Sequence, residues 1–267
     1  MSESIDPSTR DQGKAERADA ARVQAFLRAR ARVRSGPFAI LISPSDAGLY
    51  ANYAVPDDDA QPTAADIAAL EQAFQTRDRT ARLEYAPGAA AAVEAALIAA
   101  GFSIELRPPL MICNAGAVRP VPRLEDFDLA FTEDEVDLSK AASVQAEVYD
   151  GDPDDFQWLR DMPRRGGRVA VARHRRTGEM AGVGAFISPL SAVTEVVGIA
   201  TRPAFRRRGL AQGLTSMLTE AAFRAGCHMT WLSAAGEAQS NIYARAGYER
   251  REPMLFISKP GLSTNLP

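Results

Sequence analysis

The chain has 267 residues, of which 46% are hydrophobic and 24% charged, and its formal net charge is −3 at pH 7. This length and composition suffice for one large or two ordinary hydrophobic cores, which excludes disordered chains and small disulfide frameworks. The two cysteines and two histidines stand apart from any metal-ligand spacing, so we expect no metal site. The slight negative charge argues against a general nucleic-acid binder, and no apolar run has the length of a membrane span or the character of a signal peptide. We therefore expect a cytoplasmic protein with no nucleic-acid or membrane partner.

The first half is predicted to be an α/β domain that spans residues 16–115. The polar residues 1–15 precede it and are expected to form a mobile tail. Thr63 and Asp66 have the spacing of a capping box, which predicts a helix that carries Ile67. Hydrophobic periodicity predicts helices near 23–31, 67–74 and 93–97, and strands at 38–42, 50–55, 81–85, 102–106 and 110–113.

The second half is predicted to be another α/β domain, at residues 127–259. The stretch 116–126 contains two prolines and no periodicity, so we expect a linker there, and residues 260–267 form a C-terminal tail. The predicted strands lie at 128–131, 168–173, 180–187, 195–201, 230–233 and 254–258, and the predicted helices lie at 136–148, 214–225 and 238–246.

A faint repeat relates the two halves. Around Gly101 and Gly247 the chain reads strand, helix, Ala-Gly-aromatic and strand, with a proline before the final apolar run. A diverged duplication explains this pattern. An equally good explanation is that any α/β protein contains such a unit.

The most informative segment is IATRPAFRRRGLAQGL, residues 199–214, in which a strand turns through Arg-Gly into a helix. Successive backbone N–H groups at 207–211 would meet the positive end of the helix dipole, and Gly209 has no side chain to hold a ligand away. This arrangement predicts a phosphate or pyrophosphate site, although it matches neither the Rossmann nor the Walker pattern. The alternative is that Arg206, Arg207 and Arg208 form a solvated basic turn that only caps the helix.

This segment resembles the central motif of the GNAT superfamily of N-acetyltransferases: Arg or Gln, two residues, Gly, one residue, then Gly or Ala. Arg206, Gly209 and Ala211 match the motif in register; residues 10, 13 and 15 match it too, but no strand precedes them. The element order of residues 127–259 is also similar to that of the superfamily, and Tyr243 begins its Tyr-x-x-x-Gly-aromatic motif. The resemblance implies an α/β fold (an α+β mixed sheet) with two GNAT-like domains in tandem, the first one degenerate or accessory.

The resemblance also implies acetyl-CoA as co-substrate. The backbone of Ile199, Ala200 and Thr201 would pair with the pantetheine amides, as a strand edge does. Many members of the superfamily carry an asparagine seven residues before the tyrosine, where this chain has Gly236, and Asn241 is the candidate substitute. The pyrophosphate would rest on the turn formed by Arg206, Arg207, Arg208, Gly209, Leu210, Ala211 and Gln212.

Tyr243 and Glu195 are the candidate catalytic residues. In the superfamily the tyrosine faces the thioester sulfur, and in its histone-modifying branch a glutamate stands near the offset of Glu195, eleven residues before Arg206. An alkyl amine with a pKa near 10.4 is mostly protonated at pH 7, so a base must accept its proton, and Glu195 would do so directly or through water. The alternatives are a Glu195 that faces solvent or pairs with an arginine, and a Tyr243 that only fills the core.

The loop YDGDPDDFQW, residues 149–158, falls where the acceptor-binding loops of the superfamily vary, and its four aspartates would attract a cationic amine. Its candidate acceptor-binding residues are Tyr149, Asp150, Phe156 and Trp158; the alternative is an ordinary solvated loop. The first half has Leu97 where the second has Tyr243, so we expect the first half to bind no acyl-CoA.

We therefore predict an N-acetyltransferase, monomeric or homodimeric, that moves an acetyl group directly from acetyl-CoA to the amine of a small molecule or peptide. Two other interpretations stay open. One is a sensor that binds acyl-CoA without turnover, and the other is a transferase of an aminoacyl or long-chain acyl group on the same fold.

Overall fold

The computed structural model describes residues 7–43, 48 and 51–260. The chain divides into two compact units, one formed by residues 1–110 with 251–267 and the other by residues 111–250. Each unit contains a mixed sheet, which confirms the predicted α/β class. Within the described ranges, no helix combines the length and the apolar character that a bilayer span requires.

The helices and strands follow one another in this order. Residues 7–106 form α1 (Pro7–Ala29), β1 (Val33–Ser35), β2 (Phe38–Leu41), β3 (Tyr53–Pro56), α2 (Ala64–Gln75), β4 (Arg82–Tyr85), α3 (Ala91–Ala99) and β5 (Ser103–Leu106). Residues 110–258 form β6 (Leu110–Asn114), β7 (Phe127–Thr132), α4 (Glu135–Tyr149), α5 (Trp158–Asp161), β8 (Arg168–His174), β9 (Met180–Phe186), β10 (Val193–Thr201), α6 (Leu210–Arg224), β11 (Met229–Ser233), α7 (Glu237–Arg245), β12 (Glu249–Arg250) and β13 (Leu255–Ser258).

The sheet of the first unit has the strand order β1-β2-β3-β4-β13-β5. Its neighbouring strands are antiparallel except β3 and β4, which are parallel and are connected through α2. The predicted capping box starts this helix: the Thr63 side chain accepts from the Asp66 N–H, and the Asp66 carboxylate accepts from the Thr63 N–H. The helix buries its apolar stripe, Ile67, Leu70 and Phe74.

The sheet of the second unit has the strand order β12-β6-β11-β10-β9-β8-β7. β7 to β10 form an antiparallel meander, and α6 then connects β10 to its parallel neighbour β11. The apolar face of α6 packs on this sheet, with Leu210, Leu214, Leu218 and Ala222 in the hydrophobic core. The crossover therefore places the N-terminus of α6 directly after the end of β10.

The strand after each repeat unit joins the other sheet. β6 follows β5 along the chain but lies in the second sheet between β11 and β12, whereas β13 follows β12 but lies in the first sheet between β4 and β5. The domain bounds predicted at 115 and 259 therefore differ from the observed division. The apolar pattern identifies both strands, but their partners are set by contacts distant in sequence, which periodicity does not report.

Two smaller differences concern the N-terminal tail and the linker. α1 begins at Pro7, so residues 7–15 are helical and the predicted tail is wrong there; a proline suits the first helical turn, where its missing N–H leaves no bond unmade. Residues 1–6 and 261–267, the rest of the predicted tails, lie outside the described residues, as does residue 50 of a predicted strand. The predicted linker 116–126 has no helix or strand and lies within the second unit.

Candidate functional site

One edge of β10 is open along its second half. β10 pairs with β9 as far as Thr201, but it pairs with β11 only over Val193–Glu195. A bulge interrupts the ladder to β9 between Val197 and Ala200, and Gly198 within it has a φ of +62°. The predicted pantetheine-binding residues 199–201 lie on this open edge, where a ligand with amide groups can pair as a further strand would.

The turn between β10 and α6 presents a row of unpaired backbone donors. It adopts left-handed conformations at Arg207 (φ +64°) and at Gly209 (φ +82°), and Gly209 is the N-cap of α6 with no side-chain cap. The N–H groups of residues 207–212 donate no hydrogen bond to any acceptor in the described part of the chain. Six successive donors at the positive end of a helix have the chemistry of an anion site.

The three arginines of this turn differ in their contacts. The Arg206 Nε donates to the Thr201 carbonyl oxygen at 3.3 Å, and Arg208 pairs with Asp126 at 3.2 Å. Arg207 has no side-chain partner in residues 7–43, 48 and 51–260. The guanidinium of Arg207 is therefore free to bind a phosphate group, and that of Arg206 is held by a carbonyl but has no carboxylate partner in the described residues.

Tyr243 lies on α7 with its ring packed against the hydrophobic core of the second unit. Its hydroxyl has no hydrogen-bond partner among the described residues, whereas the Tyr248 hydroxyl bonds both Thr219 (2.7 Å) and Thr230 (2.9 Å). Burial, with a smaller effect of the nearby Tyr149, raises the pKa of the Tyr243 phenol above its ordinary value. The hydroxyl of Tyr243 is thus protonated at neutral pH and available to a ligand.

A side-chain contact connects α7 to the turn of residues 207–212. The Gln212 Nε2 donates to the Arg245 carbonyl oxygen at 3.3 Å, so the last residue of the predicted turn contacts the helix that carries Tyr243. Asn241 lies on the same helix and is exposed, and Gly236 is the N-cap of that helix. No contact with a residue of the turn supports a cofactor role for Asn241 in the part of the chain described.

Aromatic side chains of the predicted acceptor loop reach β10. The Tyr149 hydroxyl donates to the Ile199 carbonyl oxygen at 3.1 Å, and its ring stacks on Phe156 with centroids 6.0 Å apart. The Trp158 ring lies 3.3 Å from the point that a Cβ of Gly198 would occupy. The structure therefore brings three of the four predicted acceptor-binding residues, Tyr149, Phe156 and Trp158, to the open edge of β10 or beside it.

The aspartates of this loop make bonds within the loop. Asp152 and Asp155 form a capping box, and the Asp154 carboxylate accepts from the Gln157 side chain. Asp150 ends α4 in a left-handed conformation (φ +56°). These carboxylates have no arginine or lysine partner within the described ranges, and their hydrogen bonds shape the loop.

Glu195 lies on the face of the sheet opposite α6. Its neighbour Val196 packs in the core with α6, and alternation along a strand directs Glu195 to the other face. In register, Glu195 stands beside Trp231 of β11, at the last pair before the two strands separate. The predicted base is therefore placed where the open edge of β10 begins.

Sequence reasoning missed Gln145 of α4. This side chain is fully buried, and its Nε2 donates to the Gly198 carbonyl oxygen at 2.7 Å. The available signal is a glutamine among the apolar residues Leu138, Ala141 and Val144, which form the buried stripe of the helix. Buried amides require partners, so such a glutamine is a candidate for a specific backbone contact.

In the first unit, the turn between β3 and α2 corresponds to the turn between β10 and α6, but it carries acidic side chains instead of free backbone donors. Between β3 and α2 stand three aspartates, each paired with an arginine: Asp57 with Arg34, Asp58 with Arg28 and Asp59 with Arg17. The N-terminus of α2 is closed by its own capping box, and Leu97 is fully buried. Because these aspartates are paired and the capping box occupies donors at the start of α2, this turn does not present the row of free backbone donors that the second unit offers. In the described residues, no three His, Cys, Asp or Glu side chains are grouped as metal ligands would be.

Comparisons with known proteins agree with these observations. Residues 132–251 match the family model described as "Acetyltransferase (GNAT) family". A GCN5-related N-acetyltransferase from Kribbella flavida is 25% identical, with a TM-score of 0.77 over 91% of this chain and 96% of that one. One from Sphaerobacter thermophilus (14%, TM-score 0.63, 86% and 79%) and a tandem GNAT protein from the clavulanic acid biosynthesis pathway (14%, 0.56, 94% and 97%) share the fold. A search of curated protein sequences gave no significant match.

Proposed function

Because residues 132–251 form a domain of the GNAT acetyltransferase family, we propose that this protein transfers an acetyl group from acetyl-CoA to an amine of a small molecule or peptide. The observation that carries the proposal is the turn of residues 207–212, whose six backbone N–H groups have no acceptor in the described chain. A pyrophosphate is the group that such a row of donors fits.

The remaining features fit the other parts of the same co-substrate. The open edge of β10 at residues 199–201 offers backbone groups to the pantetheine amides, and the unpaired side chain of Arg207 offers a charge to a phosphate. Acetyl-CoA supplies the acetyl group as an activated thioester. The chain's own residues then have two tasks, which are to remove a proton from the amine and to stabilise charge on the sulfur.

Glu195 is proposed to take the proton. An alkyl amine with a pKa near 10.4 is protonated at pH 7, and releasing its proton costs about 4.6 kcal/mol. Glu195 stands where β10 and β11 separate, on the face opposite α6. A carboxylate there accepts the ammonium proton, directly or through a water molecule, and the neutral amine then attacks the carbonyl carbon while the carbon–sulfur bond breaks and coenzyme A leaves as a thiolate.

Tyr243 is proposed to donate a hydrogen bond to the sulfur. The raised pKa of its phenol makes full proton transfer to a thiolate, with a pKa of about 8.5, strongly unfavourable. A hydrogen bond to the developing negative charge avoids that cost and acts only as the carbon–sulfur bond breaks.

The test is to incubate the protein with acetyl-CoA and a panel of primary amines and amino-terminal or lysine peptides, while free thiol is measured. Amine-dependent thiol release supports the proposal. Tight binding of acetyl-CoA without release from any amine would favour a sensor. Release from aminoacyl or long-chain donors but not from acetyl-CoA would reassign the acyl group, and no binding of any acyl-CoA would overturn the proposal.

A further inference from the structure

A buried amide on α4 holds the bulge of β10. Gln145 is fully buried, and its Nε2 lies 2.7 Å from the carbonyl oxygen of Gly198. Because the Gly198 carbonyl is an acceptor, the Gln145 amide must point its nitrogen, not its oxygen, toward β10. In the described residues no other side chain donates to this carbonyl.

The hydrogen bond from Gln145 stabilises a backbone conformation at Gly198 that pairing with β9 does not support. At Gly198 the φ of +62° turns the backbone out of the ladder to β9, and a bulge leaves its extra residue without a strand partner. A Cβ at this position would lie 2.1 Å from the Gln145 nitrogen and 3.3 Å from the Trp158 ring. The glycine, the amide and the indole therefore fit together only with this backbone.

The bulge lies just after the point at which β10 loses its second neighbour. Pairing with β11 ends at Glu195, the bulge follows after Val197, and residues 199–201 then continue with one edge unpaired. From these contacts we propose that Gln145 is a positioning residue, which fixes the β10 bulge and thereby the edge that binds the pantetheine arm. This inference rests on the proposed function, because it assumes acetyl-CoA as the ligand.

The first unit contains a matched contact without the site. Gln24 of α1 is also fully buried, and its Nε2 donates at 3.0 Å to the Pro56 carbonyl oxygen at the end of β3, which also accepts from Arg28 at 3.1 Å. The turn that follows β3 carries the paired aspartates and no row of free donors. Removing this amide is therefore a control for the loss of a buried hydrogen bond as such.

The experiment compares two probes by calorimetry on the full-length protein. Acetyl-CoA contacts both the turn and the strand edge, whereas 3′-phospho-ADP ends at the pyrophosphate and contacts only the turn. For Gln145→Leu we expect the affinity for acetyl-CoA to fall about tenfold or more, with the affinity for 3′-phospho-ADP unchanged. For Gln24→Leu we expect no change in either affinity. With an accepted amine, the KM for acetyl-CoA should rise in Gln145→Leu while the KM for the amine stays constant.

Equal losses for the two probes, or no loss for acetyl-CoA, would overturn the positioning role. If the parent chain bound neither probe, the proposed function itself would fail. Should Gln145→Leu not fold, Gln145→Met fills the same volume with a flexible side chain and carries the same comparison.

Discussion

Tyr243 and Tyr248 stand on either side of Gly247, and their surroundings assign them different tasks. The Tyr248 hydroxyl is held by two threonines in the core, while the Tyr243 hydroxyl has no partner in the described residues. A hydroxyl that is already satisfied contributes to the stability of the fold. One that is unsatisfied and protonated is free to bond a ligand.

Tyr243→Phe is expected to lower kcat by about 100-fold, the lower end of the range for such groups, and to change the affinity for acetyl-CoA little. Tyr248→Phe is the matched control and should reduce the free energy of unfolding by about 1–2 kcal/mol with kcat preserved. Steady-state kinetics and urea unfolding distinguish the two. A loss in kcat below about threefold would remove Tyr243 from the mechanism.

The pH dependence follows from the same residue and from Glu195. The ordinary pKa of a tyrosine is about 10, and that of the Tyr243 phenol is raised above it. The phenol therefore stays protonated up to about pH 10, and Tyr243 should produce no alkaline limb in the pH-rate profile below that pH.

Glu195→Gln should lower kcat/KM by about 100-fold and flatten the acidic limb of the pH-rate profile, because that limb reports protonation of the base. Glu220→Gln, on the surface side of α6, is the control. An unchanged acidic limb in Glu195→Gln would exclude Glu195 as the base.

At this scale the sequence is informative about residues in local motifs. The Arg-x-x-Gly-x-Ala turn and the Tyr-x-x-x-Gly-aromatic helix are continuous segments, so the amino-acid sequence alone predicts their chemistry. It does not predict the role of Gln145, because that role depends on Gly198, 53 residues away. The acceptor loop lies between these cases. Its aromatic residues reach β10, while its aspartates bond within the loop.

The helices α2 and α6 each connect two parallel strands, and they differ in how their N-termini are capped. α2 is capped by Thr63 and Asp66, whereas α6 starts at a glycine and leaves its donors free. The spacing of Thr63 and Asp66 predicts the capping box of α2 directly. The Arg-Gly pattern predicts the open turn of α6 in outline, but not the left-handed conformation of Arg207, since an arginine, unlike a glycine, asparagine or aspartate, gives no signal of positive φ in a sequence.

Ala211→Glu is expected to abolish acetyl-CoA binding without weakening the fold. Ala211 is the second residue of α6, where a carboxylate is favourable for the helix by about 0.3–1 kcal/mol but repels a pyrophosphate. Ala65→Glu, at the second position of α2, introduces the same charge in the other unit. Calorimetry should show a loss of about 100-fold or more for Ala211→Glu only. Equal binding by both variants would place the pyrophosphate elsewhere. Gly209 is a poorer test site, because its φ is +82° and any side chain there is strained.

One acetyl-CoA should bind per chain. The turn of the first unit holds paired aspartates and a self-capped helix, so it does not offer the continuous row of free donors that the second unit offers to a phosphate. Titration by calorimetry measures the ratio directly. A ratio of two would show that the first unit binds the co-substrate, and Ala65→Glu would then reduce the ratio to one.

For the whole molecule, the sequence predicts two α/β halves and a GNAT-like second half, and both predictions are confirmed. The sequence does not predict which sheet takes β6 and β13. Each is a short apolar strand after a proline-containing connection, at residues 108–109 and 253. The apolar pattern of such a strand is compatible with either sheet, so only the observed strand pairing shows which sheet it joins.

A chain that begins at Arg123 is expected to be unstable, because it lacks β6 and with it four fully buried side chains, Leu110, Met111, Ile112 and Cys113. It should unfold without a cooperative transition and bind no acetyl-CoA. A chain that ends at Pro260 keeps every described strand and should unfold like the parent. Circular dichroism during heating checks both. A cooperative, active fragment from residue 123 would mean that β6 is dispensable.

The placement of β13 also means that the first sheet cannot be completed until the end of the chain has been synthesised. A domain made first usually folds first, while the rest of the chain is still being synthesised. Here the first sheet lacks its fifth strand until residues 255–258 have been made, about 150 residues after β5. At about 5–20 residues per second that interval lasts roughly 8–30 s. During this time β4 and β5 have no strand between them, so the edges that β13 will pair are open to other strands.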